Sequence, residues 1–154
     1  MAIASAETNR NIAQLNSFLR GEISAVETYR IAVEKLHPGS PALTALFACA
    51  KSHERRVEKL TAKIRALGGT PDTRSGAWGA MTRALEKGAA VFGDKAAIFL
   101  LEEGEDHGLK DYRHDLEKLD ADARMLVTSE LLPQQEETHR KLSELKKGHS
   151  EVTA

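Results

Sequence analysis

A chain of 154 residues with 41% hydrophobic and 29% charged side chains is long enough to bury a core as one domain, with the composition of an ordinary globular protein. Its net charge of −1 at pH 7 removes the electrostatic reason to expect nucleic acid or an anionic membrane as a partner. No apolar run approaches the roughly eighteen residues of a membrane span, MAIASAETNRN carries no basic segment followed by an apolar one, and the single Cys49 lacks a partner for an intrachain disulfide, so a cytoplasmic protein is expected.

Periodicity predicts a first helix from about Thr8 to Leu36. Ile12, Leu15, Leu19, Val26, Tyr29, Val33 and Leu36 recur in steps suited to a helix packed in a bundle, and Glu22 occupies a polar place on that stripe. His37-Pro38-Gly39 should stop it, because proline disfavours helical geometry in the residue before it. Ser40 as N-cap and Pro41 at the first helical position then open a second helix, which Gly68-Gly69 end at about Leu67. Its stripe is Leu43, Leu46, Ala50, His53, Val57, Leu60, Ile64 and Leu67, which leaves HERRVEK as a solvated face.

Residues 68–93 look like a long crossover with a short helix inside it, clamped to the bundle by Trp78 and Phe92. The first two helices should be antiparallel, and the crossover should set the third parallel to the second. The third helix, capped by Asp94, is expected to run to about Leu119 with Ile98, Leu101, Glu105, Leu109, Tyr112 and Leu116 on its stripe. The fourth is expected over 121–147, with Met125, Leu132, Glu136, His139 and Leu142 inward and a kink from Pro133 near Ser129. Both termini should fray.

The sequence is partly doubled: GEISAVETYR at 21–30 and GEDHGLKDYR at 104–113 share Gly-Glu, six residues, then Tyr-Arg. Glu22, His53, Glu105, Glu136 and His139 are the ionisable residues on the expected stripes. Carboxylates buried together are costly, and a metal pair would compensate them, since carboxylate oxygen and imidazole nitrogen suit iron, manganese and zinc. Tyr29 and Tyr112 each follow a stripe glutamate by two turns, so each phenol can hydrogen-bond a site carboxylate. Cys49 is read as a small core residue, and Glu102 lies close enough to the Glu105 face to turn inward.

This constellation resembles the ferritin-like superfamily of di-iron carboxylate four-helix bundles, whose pattern is one glutamate from each of two helices and Glu-x-x-His from each of the others. Glu22 and Glu105 match the single glutamates, and EETH at 136–139 matches one Glu-x-x-His. On the second helix His53 is present, but the residue three before it is Ala50. LRGEISAVETY, RALGGTPDTRSGAWGAM and LEEGEDHGLKDYR also resemble an uncharacterised bacterial family of ferritin-like domains. Rubrerythrins and bacterioferritins are more distant by the same logic. The resemblance implies an all-α four-helix bundle binding one or two ions of iron, manganese or zinc, handling iron or reacting with oxygen or peroxide. The competing expectation is a non-enzymatic, stress-associated bundle with a degenerate site. Dimerisation is compatible with either, and a ferritin-type cage is not expected, for want of an assembly helix after the fourth.

Overall fold

The computed structural model describes residues 5–76, 82–87 and 93–151. Among them the chain is helical with no strand, in the order α1 (Ala6–Lys35), α2 (Leu43–Ala66), α3 (82–87), α4 (Asp94–His114), α5 (Ala121–Leu126) and α6 (Leu132–Glu151). Long α1 packs on α2, and α4 packs on α6. Tyr29 of α1 bonds Glu105 of α4, while Tyr112 of α4 bonds Glu22 of α1. That crossed pairing is possible only if α1 and α4 are antiparallel. The short turn makes α1 and α2 antiparallel as well, so α4 runs parallel to α2 as the crossover predicts.

Local chemistry places the helix ends. Ser5 caps α1 by accepting from Thr8 N–H at 3.1 Å. The chain becomes extended at Leu36, just before His37-Pro38. The Asp94 carboxylate accepts His37 N–H at 2.9 Å, so this aspartate ties the α1–α2 turn to the start of α4 and does not cap its own helix. The residue preceding α4 is Gly93, with φ +70°, a conformation open to glycine at no steric cost. Ser40 accepts from Ala42 N–H at 3.4 Å, and α2 itself begins at Leu43, slightly after the expected start. Gly68 closes α2 in the left-handed region, with Gly69 N–H returning to Ile64 O at 2.9 Å. A Cβ on Gly69 would lie 2.7 Å from Ile12 Cγ2, so the crossover leaves hard against α1.

The first stretch of the crossover then runs along α1. Asn16 donates to Thr70 O at 3.1 Å and accepts from Asp72 N–H at 2.8 Å, and Arg20 pairs with Asp72 at 2.8 Å. Gly76 N–H reaches Ser24 Oγ at 2.7 Å. Leu85 of α3 is fully buried in the core. Trp78 and Phe92 lie outside the described residues.

The fourth helix departs most from expectation. The third ends earlier, at His114, followed by a 3-10 turn over Asp115–Lys118. Asp120 caps α5 by accepting from Ala123 N–H at 2.8 Å, and the buried Asn11 amide holds that turn to α1. Between α5 and α6 lies a π turn, Val127–Leu131, with Leu132 N–H returning to Val127 O. Pro133 has no N–H for Ser129 O and its ring crowds that carbonyl. The disruption expected near Ser129 therefore takes the form of a wider turn containing one extra residue. The helix is continuous through Gly148 to Glu151, and residues 1–4 and 152–154, the ends of the chain where fraying is expected, lie outside the described residues.

The core has two apolar layers. One is built around Leu36, Leu46, Ile98, Leu101 and Leu142, the other around Leu15, Leu19, Leu60, Ile64 and Leu131. Cys49 is buried in the first, as expected of a core residue. Between the layers sits a polar one.

Candidate functional site: a buried ionic centre

The polar layer is assembled by the four long helices. Glu22 from α1, His53 and Arg56 from α2, Glu105 from α4, and Gln135 and Thr138 from α6 are all buried. His53 lies between the two carboxylates, with Nδ1 2.6 Å from Glu22 Oε2 and Nε2 2.8 Å from Glu105 Oε1. Tyr29 OH donates to Glu105 Oε1 at 2.5 Å, and Tyr112 OH to Glu22 Oε1 at 2.6 Å. Gln135 Nε2 and Thr138 Oγ1 each donate to Glu105 Oε2 at 2.7 Å. Glu105 thus accepts from Tyr29, His53, Gln135 and Thr138, which fills the lone pairs of a carboxylate.

Arg56 is fully buried. Its Nη1 lies 3.4 Å from Glu22 Oε1 and donates to Gln135 Oε1, while Nη2 donates to Thr138 Oγ1 at 3.2 Å. Nη2 is also 3.0 Å from His53 Nδ1. A guanidinium only donates, and the shorter contact from Nδ1 goes to Glu22. The consistent assignment is an imidazolium donating from both nitrogens, one to each glutamate.

The titration directions agree with that assignment. Burial alone would raise the Glu22 pKa, but Arg56 and His53 bring it below its ordinary 4.5. Glu105 is likewise raised by burial and lowered overall, by His53 first. For His53, burial and Arg56 push down, while Glu105 and Glu22 lift it above the usual 6.5. Two negative and two positive groups close the charge balance inside the layer. The carboxylates contribute stability that is present above 4.5 and lost as pH falls through their lowered values. The imidazolium contributes stability that is present below 6.5 and declines as pH rises toward its raised value. The melting temperature should therefore be highest between about 4.5 and about 6.5 and decline on both sides. Thermal melts followed by circular dichroism check this; a maximum in the alkaline range would contradict it.

The structure unites Glu22, His53 and Glu105 of the expected set, with both tyrosines on the carboxylates as expected. Glu136 and His139 lie elsewhere. Glu136 is exposed and pairs with Arg113 at 3.1 Å. His139 is partly exposed, beside Glu102 at 4.0 Å and Asp106 at 3.7 Å. Glu102 itself faces Lys146 at 2.9 Å and does not enter the centre. The inward stripe is Ala123, Val127, Leu131, Gln135, Thr138 and Leu142, one residue out of phase with Glu136 and His139, while Met125 and Leu132 are not buried. Steps of three and four from Leu142 toward Leu131 and Val127 pass through Thr138 and Gln135, the signal in the sequence that marks both. Arg56, expected on a solvated face, is buried because it stands one turn beyond His53 on the same side of α2.

Hence the buried pairs three apart that face the centre are His53-x-x-Arg56 on α2 and Gln135-x-x-Thr138 on α6, and neither is Glu-x-x-His. A di-metal centre does not fit these residues. Glu105 has no lone pair to spare, and a permanent positive charge stands against Glu22 and His53. Among the described residues no group of three or more His, Cys, Asp or Glu side chains is disposed to hold a metal ion. The one buried side-chain atom without a partner among them, Gln134 Oε1, is outside the layer. A cavity of about 30 Å³ beside Glu22, lined also by Gly21, Gly108 and Tyr112, has room for a water molecule and little more.

Comparison with known proteins agrees with the architecture. A family model described as a domain of unknown function (DUF2383) matches residues 10–118. That span includes Glu22, Tyr29, His53, Arg56, Glu105 and Tyr112, and stops before α5 and α6. The fold is similar to a crystal structure of ferritin-like, diiron-carboxylate proteins from Bacillus anthracis, at 18% identity and a TM-score of 0.63, over 97% of this chain and 99% of that one. At that identity the likeness establishes a ferritin-like helical bundle and nothing finer. No curated protein matches. No helix among the described residues is long and apolar enough to cross a membrane.

Proposed function

Because the chain belongs to the DUF2383 family of unknown function, we propose its role from the geometry of its centre: a metal-independent, non-enzymatic ferritin-like bundle. The observation that carries this reading is the buried Arg56 guanidinium, spread over Glu22, Gln135 and Thr138. The position where a ferritin-like protein would concentrate cationic charge is filled from the chain itself. Its donors and acceptors are spent on one another, which supports a centre that serves folding and helix register, with outside contacts left to the outer helix faces. Buried ionic groups are often neutral or unfavourable for net stability but fix a single arrangement where every partner is satisfied.

The test is aerobic loading with Fe(II), and separately Mn(II) or Zn(II), followed by desalting and elemental analysis. Melting with and without chelator is measured alongside. The expected outcome is no stoichiometric metal and an unchanged melting temperature. One or two ions per chain, with a chelator-sensitive melting temperature, would replace this reading by the metal-binding one on Glu22, His53 and Glu105, since a ligand bound only by the folded state must stabilise it.

A further inference from the structure

We propose that the Arg56 guanidinium is a chain-borne substitute for a metal ion, so that a chain lacking it takes one divalent cation at the same place, held by Glu22, His53 Nδ1 and Gln135 Oε1. The inference rests on the metal-independent reading of the native centre.

Three observations carry it. First, the guanidinium touches the right atoms. Within its reach are a carboxylate oxygen of Glu22, the amide oxygen of Gln135, the hydroxyl of Thr138 and His53 Nδ1. With the side chain cut back to Cβ, these face one vacated space from three helices. Carboxylate, imidazole and amide oxygen together suit borderline divalent ions such as Zn(II), Co(II), Mn(II) or Fe(II).

Second, the outer contacts of such a site are already built. A ligating histidine generally donates its other N–H to a carboxylate, and His53 Nε2 is 2.8 Å from Glu105 Oε1. Glu105 is itself held by Tyr29 and Thr138, and Glu22 by Tyr112. On losing its Nδ1 proton the imidazole offers a lone pair aimed at Glu22 Oε2, 2.6 Å away, so an ion held by both draws that oxygen toward the vacated space.

Third, the charges balance. In the native layer Glu22 and Glu105 are offset by Arg56 and the His53 imidazolium. With arginine removed, a divalent ion enters and His53 gives up its proton to solvent. Two carboxylates are then offset by a doubly charged ion beside a neutral imidazole. The net charge of the layer returns to zero, with about one proton released per ion. A permanent internal cation frees folding from metal supply, whereas a metal-held bundle would depend on it.

The experiment titrates Co(II) and Zn(II) into the wild type, Arg56→Ala and Arg56→Ala/Glu22→Gln. Readouts are bound metal per chain, Co(II) visible absorption, proton release in weak buffer and melting temperature. Arg56→Ala should bind about one ion per chain, release about one proton and melt higher with metal. The double variant should bind at least roughly tenfold more weakly, and the wild type not at all. If Arg56→Ala is unfolded alone, metal-dependent recovery of helical circular dichroism is the readout, and Arg56→Gln, which keeps a shorter polar side chain, is titrated beside it. Absence of absorption, proton release and metal-dependent folding in both variants overturns the inference and leaves the metal-independent reading standing. Binding by the wild type overturns that reading itself, and the inference with it.

Discussion

Glu105→Ala should be the most damaging single substitution in the bundle, lowering the unfolding free energy by about 3–5 kcal/mol. The carboxylate is fully buried and accepts from Tyr29, His53, Gln135 and Thr138. Its removal strands each of those donors away from water, and an unsatisfied buried group costs about 1–3 kcal/mol. It also leaves Arg56 and His53 facing Glu22 alone, an uncompensated positive charge in the core. The variant would sacrifice a large share of the roughly 5–15 kcal/mol that holds a domain together. Urea unfolding at mildly acidic pH measures it. Glu136→Ala is the companion, because Glu136 lies on the surface against Arg113, and its effect should stay within about 0.5 kcal/mol. Equal losses in the two variants would mean that α6 presents Glu136, and not Gln135, to the core. Neither loss should depend on added metal or chelator.

The contrast between those two glutamates shows what the sequence could convey. The bundle was legible because its signals are redundant. Stripes on α1, α2 and α4 are long, punctuated by His37-Pro38-Gly39 and Gly68-Gly69, and doubled by the Gly-Glu-x6-Tyr-Arg repeat. Glu22, Tyr29, His53, Glu105 and Tyr112 lie on those stripes and meet as the repeat implies. Helix α6 has no such redundancy. Among its described residues Leu142 is the one fully buried apolar side chain, the π turn that precedes it at Val127–Leu131 shifts the phase set by α5, and a familiar-looking EETH lies one residue away. The motif is the louder signal and the sparse stripe the true one, and a slip of one residue carries a side chain about 100° around a helix. Arg56 was illegible for another reason. A charged residue inside a charged run is solvated in most proteins, and the one local mark of this one is its place a turn beyond His53. What makes its burial tolerable faces it across the bundle: two carboxylates, an amide and a hydroxyl contributed from distant parts of the chain.

Arg56→Met should cost most stability at neutral pH and less as the pH falls. Methionine has the flexibility to fill much of the vacated space, so this variant isolates the loss of charge from the opening of a cation site. Glu22, Glu105 and His53 then sum to one uncompensated negative charge in the core. Breaking a buried pair in this way costs about 3–5 kcal/mol at neutral pH. Burial by itself pushes both carboxyls up and their partners bring them down overall, with Arg56 the first of the lowering influences on Glu22. Without it, the Glu22 value should rise above its ordinary 4.5. A carboxyl with a raised value binds a proton more readily folded than unfolded, so folding gains stability as pH falls toward 4.5. In the wild type both carboxyls are lowered, so stability falls as pH drops below that value. The deficit of the variant should therefore shrink steadily from neutral toward acid pH. Urea midpoints for both proteins at several pH values measure it. A deficit of constant size would show that Arg56 contributes packing and hydrogen bonds but not the charge that keeps Glu22 ionised.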